Sequence, residues 1–326
     1  MKNLFRISLC VLAAALLTLP GQAQRVVNRY GLELVRVKGG FKLMDENKIL
    51  RHQIFDLDTV PGDMYEPYSG KRVFLKDDDF HHVRTQEYVF KTYPDYELKL
   101  AVDLPEKQDG PVPYIIWIHG GGWHEGNFGA HSLHSRFLAS NGIAGVRISY
   151  SLLTQGAVFQ DTWLDIQDAV AFIREHAAEW GLDVDRFGFA GHSAGGHLAA
   201  YAAMRIPGTK MLVALNGIYD LEHTVDEFVP SHRHDVYFNL PSEESRREVS
   251  PVTYVHPGAP YTIVTYCSGD ILVDKQQVKT FTRALRQAGV PYDYWYKDYY
   301  SHSGFLGTDL MEPTLMRILI AAYQHL

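Results

Sequence analysis

Short, unbroken apolar runs recur along the C-terminal three-quarters of this chain at helix-sized intervals. Residues 114–118 (Tyr114-Ile-Ile-Trp-Ile118), 144–150, 187–190, 211–215 and 261–266 are each a few residues long and almost wholly apolar. That is the pattern of strands buried on both faces. Residues 98–104 predict an antiparallel strand, and 292–297 a further strand. Between the runs lie helical stretches: 165–180 carries Ile166, Val170, Ile173 and Ala177 on one stripe, and 197–204, 275–288 and 313–323 behave alike. Strands alternating with helices predict an α/β fold, a mostly parallel central sheet with helices on both faces. Ligands of such sheets bind at the carboxyl ends of strands, so the turns after each strand are where chemistry is expected.

Residues 24–84 follow no such rhythm. Segments 32–37 and 40–44 alternate loosely, followed by Pro61-Gly62, the aromatic turn Tyr65-Glu66-Pro67-Tyr68-Ser69-Gly70 and the acidic run Asp77-Asp78-Asp79. Neither a repeat nor a low-complexity tract is visible. This segment reads as an N-terminal extension packed on the main domain or as a small β appendage, with the catalytic domain running from 85 to 326. Before it, Lys2 and Arg6 precede an apolar stretch from Ile7 to Leu19, and Gly21-Gln22-Ala23 supplies small residues at a cleavage site. Residues 1–23 therefore read as a secretory signal peptide, and the stretch is short for a membrane span. A lipid anchor on Cys10 is not expected, because Cys10 lies inside the apolar run. The protein is expected in a secreted or periplasmic location.

Composition narrows the class. At 326 residues, 46% hydrophobic and 21% charged, the chain is ordinary for a globular protein, which disfavours disorder, collagen-like repeats and coiled coil. Lys and Arg number 31 against 38 Asp and Glu, a net charge of −7. Loss of Lys2 and Arg6 with the signal would leave 29 − 38 = −9. No basic patch is implied, and nucleic acid and anionic membrane surfaces are not expected partners. Cys10 would leave too, so Cys267 alone remains and the core must hold without an intrachain disulfide.

Three turns carry candidate chemistry. After the run ending at Ala190 comes Gly191-His192-Ser193-Ala194-Gly195-Gly196. This is G-x-S-x-G between a strand and a helix, where small neighbours permit a sharp turn that exposes the Ser193 hydroxyl. The second turn, after Ile118, reads His119-Gly120-Gly121-Gly122-Trp123. Its glycines leave backbone N–H groups uncovered, and such a run upstream of the serine turn completes an oxyanion hole with the amide after the serine. Gly121, Gly122 and Ala194 are the expected donors, with His119 bracing the loop. Phosphate binding is disfavoured, because no Lys follows and no P-loop spacing is present.

The third turn, Cys267-Ser268-Gly269-Asp270-Ile271-Leu272-Val273-Asp274, offers a carboxylate to orient a histidine. Asp270 sits at the turn itself and is preferred; Asp274 is positioned to cap the helix starting at Lys275. Where the order is Ser, acid, His, only His302 and His325 of the 16 histidines follow Asp270. His325 is penultimate in a terminal helix and expected in solvent, which leaves His302, in Tyr300-Ser301-His302-Ser303-Gly304, as the base. The other histidines, His81/His82 and His232/His234 among them, have no zinc-like spacing and read as surface groups. No metal or organic cofactor is expected.

At these residues the chain resembles α/β-hydrolases of the esterase group that carries HGGGW and GxSAGG, the hormone-sensitive-lipase-like and carbohydrate-esterase relatives. The likeness covers roughly residues 85–326 and extends to Asp168-Ala-Val and Ser250-Pro251-Val-Thr-Tyr254. It departs at Cys267-Ser268, where relatives usually show His-Gly, and in residues 24–84. The resemblance implies the α/β-hydrolase fold and a serine esterase that works through an acyl-enzyme. Exported relatives often remove acetyl or feruloyl groups from plant polysaccharides, so a small-molecule or polysaccharide ester is the expected substrate. Trp123, Trp163, Tyr299 and Tyr300 are candidates to stack on sugar or phenolic rings. A prolyl-oligopeptidase-like peptidase and a general carboxylesterase or lipase remain as alternatives, as does a catalytically silent binding module. The first usually needs a large N-terminal domain that about 60 residues cannot build. A lipase would want an apolar lid, whereas the stretch between Asp220 and Ser250 is charged.

Overall fold

The computed structural model describes residues 25–27, 33–37, 40–45, 48–54, 83–222, 243–307 and 310–326. The signal segment, the His81/His82 and His232/His234 pairs and most of the charged stretch after Asp220 lie outside them. The chain divides into two compact units, Met1–Asp63 and Met64–Leu326.

In the first unit, β1 (Arg25–Val27), β2 (Glu33–Val37), β3 (Gly40–Asp45) and β4 (Lys48–Ile54) form a four-stranded sheet in sequence order. All three pairings are antiparallel, with Val37 opposite Gly40, and the β3–β4 register shifts between Lys42 and Met44. The extended segments expected at 32–37 and 40–44 are β2 and β3.

The second unit is built on an eight-stranded sheet of order β12-β11-β10-β9-β7-β8-β6-β5. Its strands are β5 (Arg84–Thr92), β6 (Glu97–Leu104), β7 (Val112–Ile118), β8 (Ala144–Ile148), β9 (Leu182–His192), β10 (Met211–Leu215), β11 (Tyr261–Cys267) and β12 (Tyr292–Lys297). Only β6 runs against the others. The longer helices are α1 (Ser132–Ser140), α2 (Phe159–Trp180), α3 (Ala194–Arg205), α4 (Lys275–Gln287) and α5 (Met311–His325), with short helical turns at Glu243–Glu248 and Gly304–Gly307. Every residue of β8 and β10 is buried, as are the last five of β7; β7 and β10 therefore read as continuous apolar runs, while β8 is interrupted by Arg147.

The differences from expectation have local causes. α2 begins at Phe159, six residues earlier than the stretch expected from 165, because its first turn is fixed by side chains: Asp161 accepts from the Val158 amide, and the Thr162 hydroxyl donates to the Ser151 carbonyl. β5 has no apolar alternation because it is an edge strand and mostly exposed. Next to it, β6 and β8 are locked by a buried ion pair in which Arg147 on β8 donates to both Asp103 oxygens (2.7 and 3.2 Å), while Ser135 and Thr85 satisfy the same carboxylate. Among the described residues no helix is long and apolar enough to cross a membrane. Since β7, β9, β10, β11 and β12 run parallel, the turns after them emerge at one edge of the sheet.

Candidate active site

The turn after β9 is a strained elbow. Ser193 has φ 57° and ψ −125°, a conformation that non-glycine residues rarely adopt. It is over-determined by its surroundings: the Ser193 amide donates to the Leu215 carbonyl, and its own carbonyl accepts from the His197 amide in the first turn of α3. Gly195 has no room for a side chain, since a Cβ there would lie 2.1 Å from the Ile118 carbonyl oxygen and 2.5 Å from that of His119. The elbow is thereby pressed directly against the turn after β7.

That second turn winds through positive φ at Gly121 (110°), Gly122 (58°) and Trp123 (60°). The Gly121 carbonyl accepts from the amides of both His124 and Glu125 (3.1 Å each). The amides of Gly121 and Gly122 make no hydrogen bond among the described residues. The Ala194 amide is the first of α3 and has no intrahelical acceptor. All three residues line one cavity. His119 lies beneath the turn, stacked on Tyr150 at 4.2 Å with its Nδ1 2.8 Å from the Gly120 carbonyl, as a brace would be.

The third turn brings Asp270 to His302, with Nδ1 2.7 Å from Oδ2. Oδ2 also accepts from Asn216 Nδ2 (3.0 Å), and Oδ1 accepts from the amides of Leu272 and Val273 (2.9 Å each). Burial works to raise the Asp270 pKa, but the bond and charge of His302 and the Asn216 amide outweigh it, and the carboxyl lies below its ordinary value. Asp274 has the other role foreseen for it: it caps α4 by accepting from the Gln276 amide. His302 Nε2 is buried without a hydrogen-bond partner among the described residues. His302 and Ser193 line the same cavity of about 490 Å³.

Asn216 was not legible in advance. It follows β10 at φ 45°, accepts from the Thr265 hydroxyl (2.7 Å) and joins Thr265 to Asp270. Its only sequence signal is its place at the end of a buried strand.

The aromatic candidates separate. Trp123 is 2% exposed, lines the cavity and donates Nε1–H to His197 Nδ1. Tyr299 is 95% exposed, and neither it nor Tyr300 lines the cavity. Trp163 packs edge-on against Tyr201 under the Arg205 guanidinium, away from the cavity wall. Apolar wall is supplied by Ile218, Leu272, Val273 and Leu306.

The histidines correct the sequence reading. His325 is half-buried, stacked on Tyr261 at 3.7 Å, instead of solvated. His131, His134, His192 and His197 are buried, not at the surface. They replace hydration with ring contacts, His131 and His134 on Trp117 and His197 on Trp123. No group of metal-ligating side chains occurs among the described residues.

A pH dependence of stability follows. Burial lowers His119 and His134 to about 4 and His192 to about 3, and burial with repulsion from neighbouring histidines lowers His131 well below its ordinary value. An unfolded imidazole binds its proton near pH 6.5. Between that pH and about 4 the unfolded chain holds more protons than the folded one, so stability rises with pH there, by about 1.4 kcal/mol per pH unit for each such group. The urea midpoint is expected to fall steeply as the pH is lowered from 7 to 4.5. A midpoint that stays constant over that range would contradict the buried neutral assignment.

An eight-stranded sheet with one reversed strand, a serine elbow after β9 and a histidine–carboxylate pair on the turns after β11 and β12 defines an α/β-hydrolase of the esterase group. The chain belongs to the BD-FAE family, whose model matches residues 100–285. It is 30% identical over 221 residues to the probable carboxylic ester hydrolase LipM of Mycobacterium tuberculosis, covering 60% of this chain and 51% of that protein. It is 26% identical over 233 residues to the probable isoprenylcysteine alpha-carbonyl methylesterase ICMEL1 of Oryza sativa subsp. japonica, covering 63% and 54%. The chain thus spans about half the length of these curated relatives. Among solved structures it is similar to a thermophilic esterase, Est2, of Thermogutta terrifontis (TM-score 0.63, 21% identity, 74% of this chain and 92% of that one). It is equally similar to a truncated carbohydrate esterase from gut microbiota (TM-score 0.63, 18% identity, 73% and 96%). At these identities the likeness establishes the fold.

Proposed function

We propose that the protein is an exported serine esterase that hydrolyses carboxylic esters through an acyl-enzyme, with acetyl or feruloyl esters on carbohydrate as substrates. The observation that carries this reading is the His302–Asp270 bond of 2.7 Å on the cavity that also holds the strained Ser193 and the unpaired glycine amides. In this mechanism Ser193 Oγ attacks the ester carbonyl carbon as His302 Nε2 takes its proton, and Asp270 holds the imidazole in the tautomer that leaves Nε2 free. The amides of Gly121, Gly122 and Ala194 receive the charge that develops on the carbonyl oxygen. The alcohol departs with the proton from His302. Water, deprotonated by the same nitrogen, then cleaves the acyl-enzyme and releases the acid.

A carbohydrate ester is supported by two observations. A cavity of about 490 Å³ with apolar walls has the size that small organic groups occupy. One structural neighbour is itself a carbohydrate esterase. Trp123 supplies aromatic wall, and Tyr299, outside the cavity, is available to sugar units beyond the ester. Lys2, Arg6 and the apolar run after them support export. The protein without residues 1–23 is expected to release acetate or ferulate from acetylated or feruloylated xylan and pectin, and to turn over nitrophenyl acetate less selectively. Activity confined to lipid esters would favour the lipase reading, and activity confined to prolyl peptides the peptidase reading; either would overturn the carbohydrate assignment.

A further inference from the structure

We infer that His192, the residue before the candidate nucleophile, is a positioning residue that fixes the turn carrying His302 to the serine elbow. The inference rests on the serine-esterase reading and adds a part to it. The turn 298–303 leaves β12, an edge strand, and passes through Tyr299 at φ 66°. The Tyr299 amide donates to Ser268 Oγ (2.8 Å), the Gly269 amide to the Tyr300 carbonyl (3.0 Å) and His302 Nδ1 to Asp270 (2.7 Å). All three of these bonds run to the acid turn. They set base against acid, and none of them spans the gap from base to nucleophile.

His192 bridges that gap. Its Nε2 lies 2.9 Å from the His302 carbonyl oxygen, and the two rings are 4.5 Å apart at 49°. A carbonyl only accepts, so Nε2 carries the hydrogen and donates it. The donor is rigid. His192 ends β9, paired with Leu215 of β10, and is 8% exposed. The backbone of the oxyanion turn closes over it, since a Cβ on Gly120 would lie 2.7 Å from the His192 carbonyl oxygen. Burial keeps the ring neutral, with its pKa at about 3, so the donor is present throughout the range in which the enzyme would work. One residue thus touches the elbow through the chain, the oxyanion turn through its backbone and the base through its ring. A base displaced by even an ångström loses much of its effect on the attacking hydroxyl.

The test compares two variants with the wild type, using nitrophenyl acetate turnover and fluorophosphonate labelling of Ser193. His192→Phe keeps a ring in the space and removes the donor; His192→Gln keeps an N–H at similar reach. His192→Phe is expected to lower kcat by between about ten- and a hundredfold with KM nearly unchanged, and to slow labelling in proportion. His192→Gln is expected to recover most of both. If His192→Phe does not fold cooperatively, His192→Asn, whose amide is too short to reach, replaces it. Wild-type kcat in the donor-less variant would overturn the inference, and so would equal losses in both variants that track their melting temperatures. A wild type that the probe does not label at Ser193 would refute the serine mechanism itself, an outcome distinct from labelling that is indifferent to residue 192.

Discussion

Ser193→Ala is expected to reduce kcat for ester hydrolysis by a factor on the order of 10⁴ to 10⁶ and to abolish labelling by a fluorophosphonate. In the proposed mechanism the hydroxyl oxygen forms the acyl bond; Ser303 also lines the cavity but does not sit on the strained elbow, and Cys267 is buried outside the lining, with its thiol pushed up to about 11 by burial. The fold should be indifferent to the change. The bonds that hold residue 193 are backbone bonds, to Leu215 and from His197, and alanine keeps the same Cβ and the same strain at φ 57°. Ser193→Gly, by contrast, relaxes a conformation that costs roughly 1–3 kcal/mol and should melt later than both. Turnover measured beside thermal denaturation checks both statements, and near-normal hydrolysis by Ser193→Ala would remove the nucleophile assignment.

The second large effect is expected at Asp270→Asn, a loss on the order of 10⁴ in kcat. The amide fits the space but not the hydrogen bonds. Oδ1 receives the Leu272 and Val273 amides, so the carbonyl of the new Asn must take that place and its NH2 must take the place of Oδ2. There it meets the NH2 of Asn216 and, at 2.7 Å in the native site, His302 Nδ1. His302 can accept from that NH2 only by moving its own hydrogen to Nε2, the nitrogen required to receive the serine proton. The double variant Asp270→Asn with His302→Ala should be scarcely worse than His302→Ala alone, because the two residues act as one unit. Independent, multiplicative losses in that cycle would show that Asp270 does not act through His302.

Both predictions concern residues that the chain betrays locally. β7, β10 and β11 were readable because strands covered on both faces must be apolar throughout, and the elbow and the glycine turn because their backbone paths exclude most side chains. His302 was reached by order along the chain and elimination. The edge strand β5 was not readable, since one side of it meets solvent and its residues are mostly exposed. The buried histidines also escaped: imidazole is polar in composition yet stays neutral and stacks when enclosed, so no periodicity marks it.

The amino-acid sequence by itself determined which groups are available and where the chain turns, because strand burial and turn sterics act over a few residues. Tertiary structure decided which groups meet. Asn216 reaches Asp270 only because β10 lies beside β11 with Leu215 opposite Thr265, and His192 reaches residue 302 across 110 positions of chain. Those contacts depend on how strands far apart in the chain align in the sheet, and alignment is set by packing the whole core, a property that no local pattern contains.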